Sequence, residues 1–154
     1  MTNFRIRGLP AHEFGDLFQL SDCELEQRNA RRMIAENGGY PCRVSLTDAT
    51  PGDSVILVNY AHHRTASPYR ASFAVYVREG EQQFDAVNEI PAQLRKRQLA
   101  LRGYDEAGMM RNAEIVDGQA LESGIANLFA DAAIAYIHAH FAKPGCYAAL
   151  IERH

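Results

Sequence analysis

The chain of 154 residues is 47% hydrophobic and 23% charged, with a formal net charge of -3. That is a globular mixture long enough to bury a core, and its slightly acidic balance excludes broad binding to nucleic acid, which needs a basic footprint. No apolar run approaches the ~20 residues of a membrane-spanning helix, so no membrane partner is expected.

Residues 4–9 alternate apolar and basic side chains, the period of a half-buried strand, and Pro10 ends it. Residues 11–20 are expected to hold one helical turn. Ser21 opens a helix: Glu24 completes a capping box, acidic residues come early, and Arg28, Arg31 and Arg32 come late. Asn37-Gly38-Gly39 supplies the expected stop. Residues 41–48 read as a strand with Val44 and Leu46 on one face and Arg43, Ser45 and Thr47 on the other. Thr50-Pro51-Gly52-Asp53 is a turn. Residues 55–61 and 71–77 follow as strands, apolar enough on both faces to be central.

Residues 80–90 are polar and aperiodic, which predicts a surface connection. Pro91 begins a short helix reaching Lys96. Residues 99–101 form a strand that runs into Arg102-Gly103-Tyr104-Asp105, and residues 109–116 return as its hairpin partner. From Gly118 a helix places Leu121, Ile125, Leu128 and Phe129 on one face. The last hairpin alternates Ala135, Ile137, Ala139 and Phe141 with Tyr136, His138 and His140. It turns at Lys143-Pro144-Gly145 and returns over residues 146–151.

This order predicts one domain, residues 1–154, of the α+β class: a ferredoxin-like sandwich with a mainly antiparallel sheet, helices on one face and additional strands. A curved sheet closing towards a partial barrel is the alternative. The N-terminus lacks the apolar region of a secretory signal, and Cys23, Cys42 and Cys146 are an odd, sparse set unlike a disulfide framework. A cytoplasmic location is therefore expected.

Four ordered segments carry a resemblance: YPCRVSLTDATPGDSVILVNYAHH, SPYRASFAVYVREG, LALRGYDEAGMM and AYIHAHFAKPGCYA. Together they resemble the bacterial family catalogued as domain of unknown function 1203, over nearly the whole chain. In that family an Asn often follows the second His of the IHxH segment, where this chain has Phe141. The resemblance implies a ferredoxin-like fold and no established activity, substrate or catalytic residue.

The residues that would build a site lie in two places. His62, Ser67, Tyr69 and Arg70 cluster between two strands, and His138, His140 and Cys146 sit on or beside the last hairpin. Arg43 and Arg102, beside other strands, have the planar fork that suits an anion. The structural reading pairs arginines such as these and Arg78 with Asp48, Glu79, Asp105 or Glu122. His138 and His140 share a strand face, but a metal needs a third ligand from His62, Glu122 or Cys146, and no spacing brings one; no metal is expected. Cys42 and Cys146 read as buried hydrophobes rather than nucleophiles. No phosphate-binding loop, dinucleotide fingerprint or nucleophile elbow occurs, so no cofactor is indicated. Two functions follow: a domain binding a small anionic or polar ligand through a His/Arg cluster, or a non-catalytic homodimeric interaction domain.

Overall fold

In the computed structural model, which describes residues 2–154, the elements run β1 (Phe4–Arg7), α1 (Asp22–Gln27), β2 (Ala30–Ile34), β3 (Pro41–Cys42), β4 (Thr47–Asp48), β5 (Ser54–His63) and β6 (Ala71–Val77). There follow β7 (Asp85–Val87), α2 (Ala92–Arg95), β8 (Gln98–Tyr104), β9 (Met110–Asp117), α3 (Leu121–Phe129), β10 (Tyr136–Phe141) and β11 (Tyr147–Arg153). The strands form two sheets, in the orders β7-β1-β11-β10-β8-β9 and β2-β5-β6-β3-β4. Pairing is antiparallel except where Cys42 meets Tyr76. The protein is therefore α+β and mainly antiparallel. The expectation of one sheet with helices on one face gives way to two sheets, because the helices are too few and short to cover them.

Each sheet carries its own core. On the first, Leu121, Ile125, Leu128 and Phe129 of α3 pack with Leu99, Leu101, Ile137, Ala139 and Phe141. Each of the large side chains contributes about 1.5–3 kcal/mol by leaving water. Arg153 closes the helix by donating to the Phe129 and Asp131 carbonyls at 3.0 and 2.9 Å, a cation at the negative end of the dipole. On the second, Ile56, Val58, Val75 and Val77 pack with Phe14, Leu17 and Leu25, from two 3-10 turns and α1.

Three local readings change in the folded chain. The helix that Ser21 opens does have its capping box with Glu24, but it stops at Gln27 instead of continuing to Gly38. Asn29 takes a left-handed φ of 54°, and residues 30–34 pair with β5 from Ala30↔Val58 to Ile34↔Ser54. An open sheet edge outcompetes helix propensity there. Residues 41–48 hold only two-residue bridges around a turn, with Leu46 at φ 54°. Arg43, Val44 and Leu46 are all buried, so the expected alternation of faces is lost. Within the polar connection, β7 pairs with β1 from Arg5↔Val87 to Arg7↔Asp85.

One glycine positions the Arg43 turn. A Cβ on Gly8 would lie 2.1 Å from the Val44 carbonyl oxygen and 2.8 Å from that of Arg43. The bare backbone instead lets Leu9 N–H donate to the Arg43 carbonyl at 2.8 Å.

Candidate functional site

The two sheets meet along β10. Its odd-numbered residues face the α3 core, and the period of a strand sends Tyr136, His138 and His140 to the other side. There they meet the end of β5. A β-bulge shifts the register from Ala61↔Ser72 to His63↔Ala71, leaving His62 as the extra residue. The bulge is what lets adjacent histidines both reach the seam. His63 lies 4.7 Å from His138 between ring centroids, and His62 lies 5.4 Å from His140 and 6.2 Å from His138. Tyr147 stacks on His62 at 4.9 Å, and Tyr104 stacks on Tyr136 at 5.4 Å. Four histidines and three tyrosines thus form one aromatic seam.

Hydrogen bonds sort these histidines. A carbonyl only accepts, so His63 carries its proton on Nδ1 and donates to the Tyr69 carbonyl at 2.9 Å. In the neutral ring its Nε2 then accepts from the Tyr136 hydroxyl at 2.7 Å. By the same logic His140 Nδ1 donates to the Gly145 carbonyl at 3.0 Å, which leaves Nε2 with a free lone pair. Among the described residues that atom is buried without a partner, as are Nδ1 of His62 and Nδ1 of His138. Buried polar atoms are almost always bonded, so three orphans in one seam demand an explanation.

Burial pushes His138 down to about 2, reinforced by His63, His140, His62 and Arg102. His62 is pushed down to about 4 by burial, then by His63 and Arg102. His140 also falls to about 4 through burial, partly offset by its bond to the Gly145 carbonyl. These three rings are neutral at pH 7. Burial raises Tyr136, with Tyr104 and Asp105 adding to it.

A cavity of about 690 Å³ opens on the seam. His63, Arg64 and Thr65 form one wall and Tyr136 and His138 another, with Arg5, Glu152 and Arg153 at its rim. Arg5 is paired with Asp85, Arg64 with Glu13, and Glu152 with Arg7. Among the described residues Arg153 makes no ion pair: it donates to the Ile134, Phe129 and Asp131 carbonyls, and its charge helps to lower the Asp131 carboxyl. Among the described residues no group of three or more His, Cys, Asp or Glu side chains could hold a metal ion.

Arg43 and Cys146 belong to a second place. Arg43 is 1% exposed and makes no ion pair among the described residues. Its Nε donates to the Tyr147 carbonyl at 2.8 Å, one terminal nitrogen to the Pro41 carbonyl, and the other lies 2.9 Å from Cys146 Sγ. Cys42, also buried, is pushed up to about 12, chiefly by burial.

The sequence-predicted residues are therefore divided. His62, His138 and His140 do come together, and Arg102 sits beside His138 in the β8–β10 register. Of these only His138 lines the seam cavity. Ser67 fixes the loop, donating to the Gly108 carbonyl at 2.8 Å and accepting from Tyr69 N–H at 3.1 Å. Tyr69 contributes its carbonyl to His63. Arg70 is exposed and does not line the seam cavity. Arg78 is paired, with Asp53 and Glu81 rather than Glu79. Sequence reasoning left Tyr136, Tyr104 and Tyr147 out of the site. For Tyr136 the signal was present, because it shares the two-residue period of His138 and His140.

The family model described as "Protein of unknown function (DUF1203)" matches residues 39–153, and the chain belongs to that family. No curated protein and no solved structure matches it.

Proposed function

We propose that the protein binds a small polar or anionic molecule in the seam cavity, between the loop after β5 and the start of β10. The observation that carries this reading is His138: 4% exposed, held neutral, on the cavity wall, with a buried ring nitrogen that has no partner. Beside it the Tyr136 hydroxyl is committed to His63 as a donor, so its oxygen faces a ligand as an acceptor. The Tyr136 oxygen on the wall and Arg153, which makes no ion pair among the described residues, at the rim favour a molecule carrying both an acidic group and a hydroxyl or amine. Specificity of this kind rests on buried polar groups that go unpaired when the wrong molecule enters. In this reading Arg153 is the anion anchor of the cavity, whose lining does not include the Arg43 and Arg102 expected from the sequence.

The test is calorimetric titration with lactate, propanoate and inorganic phosphate, on the unaltered chain and on His138→Phe. Lactate is expected to bind more tightly than propanoate, with the difference lost in the variant. Equal affinity for lactate and propanoate in the unaltered chain, or no response to any of the three, overturns the reading.

A second reading, the homodimeric interaction domain, is favoured by Ile34 and Ile115. They are 57% and 65% exposed on β2 and β9, which are sheet edges with one side of their backbone unpaired.

A further inference from the structure

The turn that buries Arg43 forms part of a separate cavity of about 700 Å³, on the side where β3, β6 and the β10–β11 turn come together. Its lining includes three cationic side chains, Arg43, Arg97 and Lys143, and no Asp or Glu. The nearest carboxylate in this network is Asp48, which is shared between Lys96 at 2.6 Å and Arg97 at 3.1 Å. One anion thus answers two cations outside the cavity, and the guanidinium of Arg43 is answered by two carbonyls and a thiol. A buried charge without an opposite charge is costly. Apart from Gln98, the remainder of the wall is mainly apolar. Phe141 lies under both guanidinium groups, at 4.9 Å from Arg43 and 5.2 Å from Arg97, and Leu57, Phe73 and Tyr76 face it.

We infer that this cavity binds a carboxylic acid with an apolar body, its carboxylate at Arg97 and Lys143 in front of Arg43 and its body against Phe141, Tyr76 and Leu57. Charge complementarity selects the head group. The apolar wall selects the body, since a hydrated inorganic anion leaves Phe141, Tyr76 and Leu57 uncovered. The volume falls within the usual range of small-molecule sites. Removing the negative charge from the ligand leaves the cationic wall unanswered, which in general loses about tenfold or more in affinity.

Calorimetric titration with 3-phenylpropanoate, its neutral amide and inorganic phosphate separates the two requirements. The carboxylate is expected to bind, the amide at least about tenfold more weakly, and phosphate more weakly than the carboxylate. Lys143 is exposed on a turn, so Lys143→Glu is expected to fold and to weaken the carboxylate by about tenfold. His138→Phe leaves this titration unchanged, which keeps the result independent of the seam cavity. An amide that binds as tightly as the carboxylate overturns the inference. So does phosphate that binds as tightly, a Lys143→Glu variant with unaltered affinity, or no binding by the carboxylate.

Discussion

Acidification is the perturbation that tests the seam most directly. His62, His138 and His140 are held neutral by burial, at about 4, about 2 and about 4, against an ordinary value of 6.5. An unfolded chain protonates all three near 6.5, so the unfolded state binds more protons below that pH. The stability they confer is fully present above 6.5 and is lost as pH falls from there towards about 4 for His62 and His140, and further for His138. Each pH unit inside that window costs about 1.4 kcal/mol per histidine. At pH 5 that is about 2 kcal/mol each for His138 and His140, and about 1 kcal/mol for the more exposed His62 after allowing for solvent screening. The ceiling of about 5 kcal/mol is comparable to the whole stability of a small protein, ~5–15 kcal/mol. Carboxylates do not obscure this window. Glu13, Asp53 and Glu122 are lowered from 4.5, 3.8 and 4.5, so their contributions are lost mainly at lower pH. Urea unfolding followed by circular dichroism between pH 7.5 and pH 5 measures the slope, and His138→Gln is expected to remove roughly two fifths of it. A stability that stays flat across this range, or a slope untouched in the variant, refutes the account of a neutral seam.

Three further outcomes are expected. Gly8→Ala drives a methyl group into the Val44 and Arg43 carbonyls and is expected to cost about 1–3 kcal/mol in urea unfolding, with a wild-type midpoint counting against the close approach. Alkylation by iodoacetamide at pH 8, mapped by mass spectrometry, is expected to modify the exposed Cys23 and spare Cys42, whose thiol is buried and raised to about 12; rapid labelling of Cys42 in the folded protein contradicts that. Light scattering at micromolar concentration tests the dimer, for which the exposed Ile34 and Ile115 edges predict twice the chain mass, and a clean monomer mass rejects it.

Much of the local structure was legible because its cause is local. The capping box joins Ser21 to Glu24 within one turn, and the apolar face of α3 follows from a spacing set by helix geometry. Residues 71–77 and the hairpin of β10 and β11 likewise announce themselves by alternation and turn chemistry. The length of α1 was not legible, because residues 30–34 are claimed by β5, whose paired residues lie 20 to 28 positions away. Nor was the division into two sheets, since short connections and alternating patterns are compatible with either arrangement.

The candidate sites divide in the same way. Sequence alone placed His138 and His140 on one strand face and singled out His62, Arg43 and Cys146 as residues with chemistry to offer. Only the tertiary structure decided which of them meet. The bulge that brings His62 and His63 together to the seam depends on pairing with β6, and the bond from Tyr136 to His63 joins residues 73 positions apart. Arg43 reaches Cys146 across 103 positions, and it is buried because the backbone at Gly8 lets its turn close. Alternation and capping are properties of neighbouring residues and survive in any fold that keeps the element. An orphaned nitrogen or an unanswered charge is a property of what stands opposite, and that is fixed only when distant strands pack together.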